Sequence, residues 1–372
     1  MLLIPGPVEV PISVLDAATY LDNHRSSKFR EIMAENEEML NYLSGAYKTV
    51  MVTGSGTLAV ESMVFSLIDT NKKVLSISYG NFGERLIDSI KRKTKNAEFV
   101  NYNELDPESL IKDIQSRDYD YLFLVHNETS NGTALYNIKE IVKIVKSKNA
   151  KLLIDDVSGY AGYNLNMDGI YAMATGSQKN IACVPGIAII FLSKDAYNDV
   201  MEMDMSGVPF YLDLKTSLKF LEKNETAYTP ATGIFNALNV ALKILKDETI
   251  EKRAKRIAAS SEFIRKMLNQ NNIQIFGNSD TYSSTVVCFY DNNNSEKIKL
   301  LAEKNIVVAK GMGMISGNTI RIGTMGMIND VYIKKFLDAY FSLSNINETI
   351  DENDIPKETR LPEYLYKEIN LA

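Results

Sequence analysis

Between residues 49 and 154, short apolar runs alternate with longer stretches whose apolar residues recur every three or four positions. The runs at 49–52, 73–78, 98–102, 119–125 and 151–154 predict strands, and 57–68, 82–93, 107–117 and 138–148 predict helices. Further strands fit 169–174 and 187–192. Strands separated by helices form βαβ units, and βαβ units build a mostly parallel sheet covered by helices. The fold class is therefore α/β, with a large domain over residues 1–240 that includes an N-terminal segment. The rhythm then changes. Two helices (235–245 and 248–269) precede strands at 273–276, 285–290, 306–309 and 319–322, with helices at 295–304 and 330–342. This pattern predicts a smaller C-terminal α+β domain over 241–372. The tail from 347 is polar and acidic and is expected to pack loosely.

Composition narrows the chemistry. Among 372 residues there are two His (His24, His126), two Cys (Cys183, Cys288) and no Trp. This set cannot build a multi-His or Cys-rich zinc site, an iron–sulfur cage or a disulfide framework, so no metal is expected. Carboxylates, Lys, Arg, hydroxyls or a cofactor must carry any catalysis. A net charge of −6 argues against a nucleic-acid partner. The basic runs at Lys91–Lys93 and Lys252-Arg253 read as solvated helix faces. No apolar run reaches the ~18 residues of a membrane span, the first residues lack a leader pattern, and Asn370-Leu371-Ala372 is not a peroxisomal tripeptide. A cytoplasmic location is expected.

Two features carry chemistry. Thr53-Gly-Ser-Gly-Thr-Leu-Ala59 lies between a strand and a helix. Its glycines let backbone N–H groups approach an anion at a helix N-terminus, and Ser55 and Thr57 add hydroxyls. The same turn needs no ligand if Thr57 simply caps the helix. Read as a dinucleotide fingerprint it lacks a partner, because the second strand ends Ser78-Tyr79-Gly80 without the acid that would hold a ribose. A single phosphate fits better. The second feature is Lys179, after Gly176-Ser177-Gln178 and before an apolar Pro/Gly turn, where partial burial would favour a free amine. Asp155 ends the apolar strand at 151–154, where α/β sheets place ligand contacts.

Together with the phosphate turn, these residues sit among others in a recurring order. They run from Pro5-Gly6-Pro7 and His24-Arg25-Ser26 through Thr53–Thr57, Gly80–Arg85, His126–Gly132 and Asp155–Ser158. Gly176–Lys179, Pro185-Gly186, Thr229-Pro230 and Arg321-Ile322-Gly323 complete the series. In this order and spacing the chain resembles the class V aminotransferases, which have the type I fold of pyridoxal-phosphate enzymes, and within them the alanine–glyoxylate / serine–pyruvate branch. The resemblance implies pyridoxal 5'-phosphate as cofactor, a small amino acid and a 2-oxo acid as substrates, and a homodimer with its active site at the subunit interface. It implies that Lys179 forms the Schiff base with the cofactor and then moves the proton between substrate and cofactor, while Asp155 pairs with the pyridine nitrogen. Ser55, Gly56 and Thr57 would cradle the phosphate, helped by Gln178 and by Thr229 from the neighbouring subunit. Phe82 would stack on the ring, with Thr129 and Ser158 beside it. Arg321 would clamp the substrate carboxylate, with Gly6 nearby.

Some positions depart from the family pattern. The run Asp155-Asp156-Val157-Ser158-Gly159 stands where relatives often have Asp-Ala-Val-Ser-Ser, and Thr226 stands where some have Tyr. Other readings are a lyase or cysteine desulfurase of the same superfamily, an NAD-dependent dehydrogenase, and a binding protein that has lost its cofactor. A desulfurase needs a mobile nucleophilic Cys, whereas Cys288 lies in an apolar strand and Cys183 in a tight turn.

Overall fold

A computed structural model describes residues 1–369, so the C-terminal Asn370-Leu371-Ala372 lies outside it. A seven-stranded sheet runs in the order Lys48–Thr53, Ile187–Leu192, Ala172–Gly176, Lys151–Asp155, Tyr121–Val125, Val74–Ser78, Ala97–Asn101. Only Ile187–Leu192 runs against its neighbours, and it does so on both sides. Lys48–Thr53 therefore points the same way as the five parallel strands. Six strand ends, with the turns that follow them, open on one edge of the sheet, where such sheets bind ligands.

The strand and helix alternation read from the sequence is present, with shifted boundaries. The strand expected at 169–174 is Ala172–Gly176, and the helix expected at 57–68 is Gly56–Leu67. Every residue of Val74–Ser78, Tyr121–Val125 and Ala172–Gly176 is buried, which requires cover on both faces. Four helices fall outside the pattern read from the sequence: Ile12–Ala18, Ser27–Ser44, Lys194–Glu202 and Leu214–Leu221. Ser27–Ser44 is capped by Ser26, whose side chain accepts the Phe29 N–H at 3.2 Å. Its buried face includes Asn36 and Glu37 as well as Phe29, Met33 and Leu40, so polar residues interrupt its apolar stripe.

A second apolar core lies around the three-stranded antiparallel sheet of Val286–Tyr290, Thr319–Gly323 and Ala309–Lys310. The strand expected at 306–309 is reduced to Ala309–Lys310, and 273–276 makes only the bridge from Ile275 to Phe289. The first core ends at Ile250, and the second takes in residues from Ile257 onward together with Leu3 and Val8. The N-terminal segment reaches this second core by pairing: Leu3 donates its N–H to the Val307 carbonyl at 2.8 Å and accepts from Gly323 at 2.7 Å.

Two expectations are overturned. The tail does not pack loosely: Ile350, Ile355, Leu361, Leu365 and Ile369 are buried in the second core, anchors that its polar average conceals. Arg253 is not on a solvated face. It is fully buried, and its Nε donates to Glu248 at 2.7 Å, while Lys252 beside it is exposed. No helix among the described residues is long and apolar enough to cross a membrane.

The buried tail carries a prediction. Leu365→Ala removes a fully buried side chain and should cost about 2–5 kcal/mol, read as a lower urea midpoint. Met314→Ala, at an exposed position, should leave that midpoint unchanged.

Candidate active site

The sheet's open edge holds a pocket. Seven of the residues singled out from the sequence line it: Gly56, Thr57, Phe82, Thr129, Asp155, Ser158 and Lys179. Ser55, Gln178, Gly6 and Arg321 stand just outside its lining. Thr229 is exposed and does not reach the pocket of its own chain.

Lys179 is 9% exposed, and its Nζ donates to the carbonyl oxygen of Pro5. Burial pushes this amine down to about 8; the positive charge of Arg321 adds to the fall, and Asp155 opposes it. A free amine is thus accessible near neutrality. Its turn is fixed from behind. Asn180 Nδ2 donates to the carbonyls of Ser158 and Tyr160 at 2.9 and 3.1 Å, and the buried Arg253 donates to the Asn180 carbonyl at 2.7 Å. Gly6 closes the other side. A Cβ there would lie 2.5 Å from Lys179 Cδ and 2.6 Å from Nζ, so only glycine leaves room for the amine.

Asp155 ends its strand with one oxygen accepting the Val157 N–H at 3.0 Å. Burial pushes its carboxyl up to about 7, the N–H of Val157 opposes this, and the nearby charges of Glu128 and Asp156 add to it. Asp156, the next residue, turns away from the pocket and meets His126 Nδ1 at 2.6 Å. Arg321 is buried in the middle of its strand; its Nε donates to the Lys310 carbonyl and its Nη1 to the Thr129 carbonyl, both at 2.6 Å. This ties the small domain's sheet to the pocket wall.

The glycine turn behaves differently from the cap considered above. Ser55, not Thr57, is the N-cap of Gly56–Leu67, and no side chain caps it. Leu58 N–H turns back to the Ser55 carbonyl at 2.9 Å, and the N–H groups of Gly56 and Thr57 are left open to a ligand. A Cβ on Gly56 would lie 2.6 Å from Val157, and one on Gly176 would lie 3.1 Å from the Gly56 nitrogen, so both glycines serve close backbone approach. Beside them, Gln178 Oε1 is buried with no hydrogen-bond partner.

Three contributors lie in the runs Gly80–Arg85 and His126–Gly132 but were given no role from the sequence. Glu128, fully buried, accepts from the N–H groups of Phe82 and Gly83 at 3.0 and 3.1 Å and from the Ser130 hydroxyl at 2.6 Å. It caps the helix Asn81–Lys93 from a distant loop and so sets the position of Phe82. Arg85, one turn after Phe82, lies 5.0 Å from the centre of its ring and donates to Thr57 Oγ1 at 3.4 Å. The i, i+3 spacing from Phe82 was the available signal. Asn127 lines the pocket and donates to Ser158 Oγ at 2.7 Å and Thr285 Oγ1 at 2.9 Å.

The family model of class-V aminotransferases matches residues 17–330. The chain belongs to this family. It is 35% identical over 343 residues to an uncharacterized aminotransferase of Methanocaldococcus jannaschii, covering 89% of each chain. It is 25% identical to the (S)-ureidoglycine–glyoxylate transaminase of Bacillus subtilis, covering 87% of this chain and 85% of that one. Its fold matches the crystal structure of alanine–glyoxylate aminotransferase from Nostoc sp. with a TM-score of 0.85 at 24% identity, over 92% and 94% of the two chains.

The aminotransferase uses pyridoxal phosphate, and its residues fit that group. The uncapped helix start and the close-approach glycines suit a phosphate, to which Gln178 would donate through its amide nitrogen. A buried carboxyl and a buried amine face the remainder of the pocket. In the cofactor-free protein, the raised Asp155 pKa has a consequence for stability. A carboxyl at about 7 when folded and ~3.9 when unfolded is harmless below ~4 and destabilises progressively as pH rises through 7. Asp155→Asn should therefore raise the apo-protein's melting temperature at pH 8, with the gain vanishing towards pH 4.

Proposed function

We propose that this aminotransferase moves an amino group from a small amino acid, alanine or serine, to a small 2-oxo acid, glyoxylate or pyruvate, by a ping-pong mechanism. The observation that carries the reading is the buried Lys179 amine, held between the charges of Asp155 and Arg321 in a pocket at the meeting of the two cores. When bound, the cofactor supplies an electron sink for the charge left at the substrate's Cα. With the cofactor bound, Lys179 would be its attachment point and, as a free amine, would carry the proton between the substrate's Cα and the cofactor; a depressed pKa suits both tasks. Asp155 would keep the pyridine nitrogen protonated, because its desolvated carboxylate gains most from a cationic partner. Backbone N–H groups at Gly56 and Thr57, with Ser55 and Gln178, would hold the phosphate, and Phe82 and Thr129 would border the ring with Ser158. Arg321 binds the substrate carboxylate with the face of its guanidinium fork that the Lys310 and Thr129 carbonyls leave free.

Glyoxylate as acceptor is supported by two proteins that the chain resembles, the ureidoglycine–glyoxylate transaminase and the alanine–glyoxylate aminotransferase. A homodimer completes the site: Thr229 is exposed and reaches the phosphate of the neighbouring subunit. Phe210 and Tyr211, both over half exposed and packed against Tyr228, supply apolar surface for that contact. A cytoplasmic location follows as a proposal. Sulfur-transfer chemistry lacks a nucleophile here, because burial pushes both Cys183 and Cys288 up to about 12.

Borohydride reduction of the yellow holoenzyme should fix the cofactor on the peptide containing Lys179, and Lys179→Ala should abolish turnover with the fold retained; a colourless protein that cannot be reconstituted would overturn the reading. Arg321→Ala should remove a charge-assisted bond of about 1.5–3 kcal/mol, raising KM for amino and oxo acids ~10–100-fold. Cofactor affinity should change far less, and equal losses would mean that Arg321 acts elsewhere.

A further inference from the structure

Asp156 is a second buried carboxylate beside the one that faces the pocket. Adjacent residues at a strand end point to opposite sides, so Asp155 enters the pocket while Asp156 enters the wall behind it. There its Oδ1 lies 2.6 Å from His126 Nδ1, with both side chains almost wholly buried. Its Oδ2 has no partner. The titratable groups around the pair are Asp155, Glu128, Tyr79, Tyr160 and Tyr163, whose ring centre lies 4.7 Å from that of His126. On the outer side His126 shares a groove with Tyr136, Lys139, Glu140 and Lys143, but His126 is the group that bonds the Asp156 carboxylate.

The pair belongs to a seam between two strand ends. His126 donates its backbone N–H to the Asp155 carbonyl at 2.9 Å. One residue on, Asn127 exchanges hydrogen bonds with Ser158: its Nδ2 donates at 2.7 Å, and its carbonyl accepts from Ser158 Oγ at 2.8 Å. The side-chain bond from Asp156 to His126 sits between these contacts, in the turn that presents Asp155 and Ser158. Gly159 makes room for it. A Cβ at 159 would lie 2.0 Å from Asp156 Oδ1 and 2.7 Å from His126 Nδ1. The two departures from the family pattern in this run, at 156 and 159, are thus one structural unit: the carboxylate needs the glycine.

We infer that Asp156, through its bond to His126, is a positioning residue that holds the 155–159 turn so that Asp155 meets the cofactor, and that Gly159 leaves the room this pair occupies. This rests on the role proposed for Asp155. The bond fixes the proton on His126 Nδ1 and the ring against the seam, as outer partners orient the ligands of a bound group.

The chain's two histidines make a direct readout available. Proton NMR of the apo-protein should show a strongly downfield, slowly exchanging imidazole N–H from His126. Asp156→Ala should erase it and weaken pyridoxal-phosphate binding, measured by absorbance titration, by ~10-fold or more, with the circular dichroism unchanged. Asp156→Asn keeps an acceptor of the same shape and should restore cofactor binding, with the resonance present but less downfield because the acceptor is uncharged. Gly159→Ser should abolish the resonance and weaken cofactor binding in the wild-type background, and cost less when combined with Asp156→Ala, where only the contact with His126 remains. The inference is overturned if Asp156→Ala loses the resonance yet binds cofactor as the wild type does, or if Gly159→Ser is equally harmful in both backgrounds. Asp155→Asn separates the two levels: if it too leaves cofactor binding intact, the role of Asp155 itself fails; if it alone weakens binding, only the role of Asp156 does.

Discussion

A carboxyl and an amine buried at one edge of a sheet set the demands that the rest of this molecule meets. Removing either charge from water costs several kcal/mol unless fixed dipoles or an opposite charge replace the lost hydration. Here the replacements are sparse and rigid: one N–H for Asp155, one carbonyl for Lys179. Such a site stays poised only if its strand ends cannot drift. The parallel sheet provides that rigidity, and the turns after its strands converge on a single pocket.

The second core and the N-terminal segment answer the same demand. Leu3 is stitched between Val307 and Gly323, and this carries Pro5 and Gly6 onto the Lys179 amine. Arg321 reaches across from the small sheet to the Thr129 carbonyl. Behind the lysine turn, Glu248 orders Arg253 and Arg256, which in turn hold carbonyls at Asn180 and Ile328. The two cores therefore meet around the reactive amine, and their relative placement is part of the chemistry.

Acidic groups crowd this region, and each is handled separately. Glu128 is answered by backbone N–H groups of the helix that bears Phe82, Asp156 by His126, and Asp155 by a single N–H. Burial raises all three carboxyls, but only Asp155 faces the pocket. The carboxylate answered only by a backbone N–H from its own turn is thus the one aimed at a ligand.

Much of this was legible in the chain. Alternating apolar runs and amphipathic stretches dictated a parallel sheet, because the two periods admit few other arrangements. The glycine turn, Asp155 and Lys179 stood out because their positions relative to strands follow from the same periodicity. Other features were not legible. The helix Ser27–Ser44 buries polar residues that pair with a distant helix, as Asn36 does with Asn239, so its apolar stripe is broken. Arg253 reads as solvated and is buried, because its partner Glu248 closes on it only in the packed helices. The chain alone was enough to show the alternation of strands and helices and to put Asp155 at the end of a strand and Lys179 just after one, since both follow from local pattern. Only the packed fold shows that Asp156 is answered by His126 and Glu128 by Phe82, because bonds between residues 30 and 46 positions apart leave no periodic trace.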